Sequence, residues 1–189
     1  MTFYTGLMRI YSNNPRELLK VEIVTNRLLL IPVSLKYQEE IFQEFTAEIT
    51  TYTYPRSPQK ISETEAFINQ SIAEMKKGDN LVVVILKKDS QEFLGCSGIN
   101  NINSQQPELG IWLKKSAHGN NYGWETINAL KQWAEENLDY KYLIYPVDKD
   151  NIPSRKIAEK IGGEISREYN HTNLSGRVLH LLEYKIPKK

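Results

Sequence analysis

Cysteine is nearly absent from this 189-residue chain: Cys96 stands alone, so no internal disulfide and no zinc site of the Cys₄ or Cys₂His₂ kind can form. Histidine is scarce too. His118, His171 and His180 show no i,i+4 pair, which leaves a structural metal without its usual ligands. An excess of charge of one sign is also missing, since 24 Lys and Arg face 23 Asp and Glu for a formal net charge of +1. That balance provides no broad basic field for nucleic acid or an anionic membrane, so an anionic ligand must be gripped locally. The longest apolar runs, 28–33 and 81–86, fall far short of the ~20 residues of a membrane span. Arg9, Asn13 and Asn14 break the opening segment where a signal peptide would need an uninterrupted apolar core. A reducing, cytoplasmic setting is the default reading.

What is present is an ordinary globular composition, 40% hydrophobic and 25% charged, in a length that suits one domain. Residues 1–20, with their Asn13-Asn14-Pro15 break, read as an accessory arm before a single domain over 21–189. Residues 22–33 read as a strand ending at Pro32. Ser34 is expected to cap a helix carrying Ile41, Phe42 and Phe45. The stretch 52–58 holds Pro55 and Pro58 and cannot be regular helix. Ser62 and Glu65 have the spacing of a capping box opening a second helix that stops near Gly78. Strands follow at 81–87, 93–100 and 108–113. A helix over 121–137 places Trp124, Ile127, Leu130 and Trp133 on one face. A strand at 142–147, a helix at 151–161 ended by Gly162-Gly163, and two strands near 165–169 and 178–186 complete the chain. This order describes a mixed α/β protein with an antiparallel meander and one strand-helix-strand crossover.

Two stretches carry chemistry. In the first, the strand holding Ile111, Trp112 and Leu113 runs through a short loop into His118-Gly119-Asn120-Asn121-Tyr122-Gly123-Trp124 and a helix start. Glycines permit close approach, Asn tolerates positive φ, and unpaired N–H groups at a helix start cradle phosphate. An ordinary Gly/Asn turn accounts for the same residues. No Gly-Lys-Ser/Thr loop and no Gly-x-Gly-x-x-Gly fingerprint is present, which excludes the two commoner nucleotide motifs. In the second stretch, Asn151 is a good N-cap, Pro153 suits a first turn and Gly162 is a natural stop. Capping explains those three and leaves Ser154 unexplained.

Together these stretches resemble the acyl-CoA-binding core of the GNAT N-acetyltransferase superfamily, in detail its ribosomal-protein N-terminal acetyltransferase (RimJ/RimL-like) branch. The phosphate loop corresponds to residues 118–123. The later signature matches Asn151, Ser154, Glu159, Lys160 and Gly162, and Thr25-x-Arg27-Leu28-x-Leu30 and Glu108-x-Gly110-x-Trp112-Leu113 also fit. Over residues 21–186 the resemblance implies a mixed, mostly antiparallel sheet with splayed central strands and helices on both faces. It implies transfer of acetyl from acetyl-CoA, without a metal, to a primary amine: a peptide N-terminal α-amine, or a small amine such as a polyamine or aminoglycoside. A non-catalytic acyl-CoA-binding module is the reading from another class. No nucleic acid or membrane partner is expected, and the chain is read as a monomer or homodimer.

The resemblance also implies site residues. The pyrophosphate would lie on the amides of residues 119–124, and the pantetheine arm between the 108–113 and 142–147 strands near Asn151. Arg155 would be within reach of the 3′-phosphate, although solvated surface charge explains it as well. Glu108 is the candidate base, backbone N–H groups near Trp112 and Leu113 the oxyanion donors, and Ser154 the donor to the leaving thiolate, although a solvated strand-entry carboxylate and a helix-start serine explain Glu108 and Ser154 as well. Tyr52, Tyr54 and Arg56 would border the acceptor. The chain departs from the family pattern at His118, Asn121, Gly163 and Ala158, the last excluding a tyrosine acid at that position.

Overall fold

The computed structural model describes residues 15–188. Strands β1 (Ile23–Val24), β2 (Leu28–Pro32), β3 (Leu81–Lys87), β4 (Phe93–Asn100), β5 (Glu108–Leu113), β6 (Tyr142–Asp148), β7 (Glu164–Thr172) and β8 (Val178–Pro187) form one sheet in the order β1-β2-β3-β4-β5-β6-β8-β7. All neighbours are antiparallel except β5 and β6. Helices α1 (Gln38–Glu44), α2 (Ile61–Lys77), α3 (Tyr122–Asn137) and α4 (Ile152–Lys160) cover its faces. The β-branched run of β3 lies in the middle of the meander, buried on both sides as its continuous apolarity requires.

Adjacent residues of β5 tell the two faces apart, because strand side chains alternate. The Trp112 ring packs 4.8 Å from Phe45, just after α1, and 5.9 Å from Phe93. Leu113 points the other way, toward the start of α3, where a β-carbon at Gly123 would lie 3.7 Å from its Cδ1. α1 and α2 thus share one face, and α3 and α4 the other. Ile127 and Leu130 of α3 are fully buried, flanked by half-buried Trp124 and Trp133.

Several local expectations are corrected. Residues 22–33 are two strands: Thr25 N–H donates to the Leu28 carbonyl at 2.9 Å and its Oγ1 accepts from Leu28 N–H at 2.9 Å, closing a turn that pairs Ile23 with Leu30. Ser34 makes no side-chain cap; a 3-10 turn over Leu35–Tyr37 precedes α1 instead. The Ser62–Glu65 box does not form, because α2 begins earlier, after extended Lys60. The last two strands run longer than expected, through Thr172 and Pro187. Of the proposed arm, residues 1–14 lie outside the described residues, while Pro15–Lys20 is a 3-10 helix that buries Leu18. Among the described residues no helix is long and apolar enough to cross a membrane.

Candidate active site

β5 and β6 share a single pairing, Glu108 with Ile144, supported by Ile144 N–H donating to the Pro107 carbonyl at 2.9 Å. Past that point the strands part. Lys114 N–H donates to the Leu94 carbonyl at 2.8 Å, and Ser97 Oγ to the Gly110 carbonyl at 2.7 Å. Gly110, Trp112 and Lys114 therefore turn their backbone groups to β4, and by alternation Ile111 and Leu113 turn theirs into the opening. Of the backbone N–H groups near Trp112 and Leu113, that of Trp112 belongs to the β4 ladder, whereas those of Ile111 and Leu113 face the gap. His118 Nε2 lies 3.0 Å from the Leu113 carbonyl, tying the loop to the strand end. A β-carbon at Gly110 would meet no non-neighbouring atom within 4 Å, a measure of how open this stretch is.

The turn beyond β5 is built on two left-handed residues, Gly119 (φ 78°) and Asn121 (φ 64°). Asn is the non-glycine residue best suited to that region, so the departure at Asn121 leaves the turn intact. Asn120 Nδ2 donates to the carbonyls of Ala117 (3.3 Å) and His118 (3.0 Å), folding the loop on itself. Asn121 makes no side-chain cap, and among the described residues the backbone amides from Gly119 to Trp124 donate to nothing. Orphan N–H groups at a helix start form a cradle for an anion. Gly123 faces α4: a β-carbon there would lie 2.9 Å from Ile157 Cδ1, so a larger residue would make that side-chain tip shift. Trp124 stacks under Lys160 Nζ at 4.0 Å, and its buried Nε1 has no partner. A gap flanked by unpaired strand groups and closed by an amide-lined turn fits the arm and diphosphate of acetyl-CoA.

At the far side of the gap, Asn151 Oδ1 accepts from Ser154 N–H at 3.3 Å and caps α4. The Ser154 hydroxyl lies 2.7 Å from that of Tyr145, a buried β6 residue whose phenol is pushed up to about 12 by burial, the Ser154 hydrogen bond opposing only in part. Ala158 is fully buried in the core. Arg155 does not reach toward the loop. Its Nε donates to Tyr184 Oη of β8 (3.2 Å) and its Nη1 to the Lys149 carbonyl just after β6 (3.2 Å). Its side chain is thus engaged by Tyr184 and Lys149.

Glu108 lies at the closed end of the gap, on the α1–α2 face. Its half-buried carboxylate accepts no hydrogen bond among the described residues. Burial, and then the neighbouring charge of Glu183, raise its carboxyl above the usual range. Glu183 is itself paired with Arg167 at 2.8 Å, and Arg167 stacks on Tyr169 at 4.4 Å. The tip of the β7–β8 hairpin docks on the loop before α2: Asn173 Nδ2 donates to the Thr53 carbonyl (3.1 Å) and Leu174 N–H to the Tyr54 carbonyl (3.0 Å). Tyr54 meets His171 ring to ring at 4.9 Å, and Arg177 covers Tyr52 at 5.1 Å. Arg56 folds away onto Glu63 (2.8 Å) and the Ser57 carbonyl (2.9 Å), so the structure gives it a local partner in place of an acceptor. Buried Cys96 has its thiol pushed up by burial, which makes it inert.

The family model for the GNAT acetyltransferase domain matches residues 27–164, taking in β2 through α4 and with them β5, β6 and the turn into α3. The chain belongs to the GNAT acetyltransferase family. Acetyl-CoA-dependent acetyl transfer is the activity class that membership brings. A curated relative, the uncharacterized Bacillus subtilis protein YkkB, is 24% identical over 157 residues, covering 82% of this chain and 91% of its own. Among solved structures, the RimL ribosomal L7/L12 α-N-protein acetyltransferase in complex with coenzyme A aligns with TM-score 0.78 at 17% identity, over 88% of this chain and 98% of that one. Spermidine N-acetyltransferase from Vibrio cholerae, in complex with CoA and spermine, gives 0.76 at 15%, over 87% and 97%. At these identities both likenesses speak for the fold alone.

Within this GNAT fold the sequence reading overlooked Tyr145, Glu183 and Arg167. Tyr145 had a signal, since Leu143, Tyr145 and Val147 alternate onto the buried face of β6 where α4 must lie. Glu183 and Arg167 had none: their meeting depends on the register of β7 against β8, which begins at Glu164 opposite Lys185 and shifts between Ile165 and Arg167.

Proposed function

We propose that this GNAT protein acetylates a primary amine by direct attack on the acetyl-CoA thioester, the acceptor being the α-amine of a peptide or protein N-terminus, as in the RimJ/RimL-like branch. The observation that carries the reading is the half-buried, hydrogen-bond-free Glu108 carboxylate where β5 and β6 part. A base with a raised pKa is well matched to an α-amine of pKa about 7.7–8.0, whereas a lysine amine near 10.4 would demand roughly a hundredfold more. In the proposed reaction Glu108 removes the amine proton, directly or through one water. The Ile111 and Leu113 amides stabilise the oxyanion, and Ser154, steadied by Tyr145, hydrogen-bonds the departing thiolate. Asn151 keeps its Nδ2 for the pantetheine arm, since only its Oδ1 is engaged by Ser154. Tyr52 and Tyr54 wall the acceptor side, and Arg56 and Arg155 take no part.

Charge favours a single acceptor amine over a polyamine. Glu183 is compensated by Arg167, which leaves Glu108 as the carboxylate of this pair without a cation of its own, a match for one ammonium. The non-catalytic alternative draws on the departures at His118, Asn121 and Ala158, and Asn121 in the left-handed region removes one of the three. A thiol-release screen with acetyl-CoA tests the reading across peptides beginning with Ser, Ala, Thr or Met, polyamines and aminoglycosides. Release with peptides and not with blocked peptides is expected. Turnover confined to polyamines would replace the acceptor, and CoA binding without turnover of any amine would remove the enzymatic reading.

A further inference from the structure

Resting on the acetyl-CoA reading, we propose that Arg27 is a positioning residue for the diphosphate turn: it neutralises Glu125 at the helix start and aims the turn's amides inward. Glu125 is the fourth residue of α3, beside the orphan amides, with a largely buried side chain. A bare carboxylate there suits the helix dipole but opposes a doubly charged diphosphate on the same amides. The structure does not leave it bare. Glu125 Oε1 accepts from Thr25 Oγ1 (2.6 Å) and Arg27 N–H (2.9 Å); Oε2 accepts from Arg27 Nε (2.8 Å) and Nη2 (2.7 Å). This is a two-pronged guanidinium–carboxylate pair, which a lysine cannot make. Burial alone would raise the Glu125 carboxyl, but the hydrogen bonds from Thr25 and Arg27, with the Arg27 charge, hold it below the usual range, so it stays ionised and compensated.

Arg27 reaches two further points of the same turn. Its Nη1 donates to the Asn120 carbonyl at 3.1 Å, and its guanidinium lies 4.6 Å from the Tyr122 ring centre. In a planar trans peptide the carbonyl of Asn120 and the N–H of Asn121 point in opposite directions. Drawing that carbonyl outward to Arg27 therefore turns the Asn121 amide, which donates to nothing in the protein, toward the concave side. The turn β1–β2 thus holds the phosphate loop from outside, although it contributes nothing to the gap itself.

The test compares CoA with pantetheine, which lacks the diphosphate, by calorimetry for CoA and saturation-transfer NMR for the weaker ligand. Proteins are wild type, Arg27→Met, Glu125→Gln and the double variant, each with a thermal melt. Arg27→Met should weaken CoA roughly tenfold or more, as an uncovered charge beside a diphosphate requires, and leave pantetheine unchanged. The double variant should recover most of that loss, because the uncovered anion is gone. Glu125→Gln alone should bind CoA at least as tightly as wild type, and it carries the test if Arg27→Met does not fold. Equal losses for both ligands, no loss, a double variant no better than Arg27→Met, or weakened CoA binding by Glu125→Gln would each overturn the proposal. Failure of wild type to bind CoA would instead overturn the acetyl-CoA reading beneath it.

Discussion

The two sides of the β5–β6 opening are built by opposite means. On the α3 side, one eight-residue stretch supplies the whole turn, from His118 to Glu125, and two residues of the β1–β2 turn, Thr25 and Arg27, tie it down through several bonds between 2.6 and 3.1 Å. On the α1–α2 side the wall is assembled from segments some 120 residues apart, the Thr53–Tyr54 strip and the hairpin tip around Asn173. β7, which forms the outer part of that wall, is exposed along almost its whole length. The contrast matches the tasks. A diphosphate and a pantetheine arm are the same in every turnover, so a rigid cradle of backbone amides serves them. Under the proposed function an acceptor would be gripped through side chains beside an exposed hairpin, and such regions open at lower free energy than a core.

The largest expected effect comes from the residue standing between the two sides. Glu108→Gln should lower kcat roughly a hundredfold below pH 8, the range of general-base contributions, with the deficit shrinking above pH 8 as the amine loses its own proton. Stability should move the other way. The folded-state carboxyl is raised, so its ionised form is disfavoured in the fold and stability falls as pH rises through that raised value. The neutral Gln escapes this penalty, and melting at pH 8 should show an equal or higher Tm than wild type. A drop in Tm alongside the drop in kcat would make Glu108 structural.

Next is a change confined to the α3 side. Asn121→Asp keeps a residue that accepts φ 64° and alters only the charge beside the amide cradle. CoA affinity, read by calorimetry, should fall about tenfold, and less at high salt. Acceptor KM should not move. Unaltered CoA affinity would remove the phosphate-loop assignment.

That side was also the legible one. Gly119, Asn121 and Gly123 lie within five residues, and each betrays a backbone requirement by its type: positive φ for the first two, a near approach to Ile157 for the third. Strands β3, β4 and β5 were read to the residue because β-branched runs and turn signals bound them. The failures were at ends and joints. Residues 22–33 looked like one strand because the pattern of Leu28–Pro32 is continuous with Ile23, and only the Thr25–Leu28 bonds reveal the reversal. Arg155 and Arg56 look like anion-binding residues in sequence, yet each finds a nearer partner, Tyr184 and Glu63. The acceptor wall was illegible for a different reason. No local pattern in Thr53, Tyr54 or Asn173 announces that they meet.

Loosening that wall should separate the sides again. Asn173 is 5% exposed; it donates to the Thr53 carbonyl and accepts from the Ser175 and Arg177 amides at 3.0 and 2.9 Å. Asn173→Ala strands these groups, at a cost of about 1–3 kcal/mol in stability by denaturant unfolding. The acceptor KM should rise several-fold while CoA affinity holds. Parallel losses in both would mean that the hairpin supports the donor side as well.

The smallest effect sharpens the comparison at Glu108 itself. Glu183→Gln removes the like charge that helps hold the Glu108 carboxyl up, so that carboxyl should ionise at lower pH. The acidic limb of the kcat/KM profile should shift downward by less than about one pH unit, since burial remains the larger cause. Freed from Glu183, Arg167 also becomes available to Glu108, which acts in the same direction. Loss of the acidic limb together with the activity would mean that Glu183, not Glu108, sets the limb, and would move the base from β5 to β8.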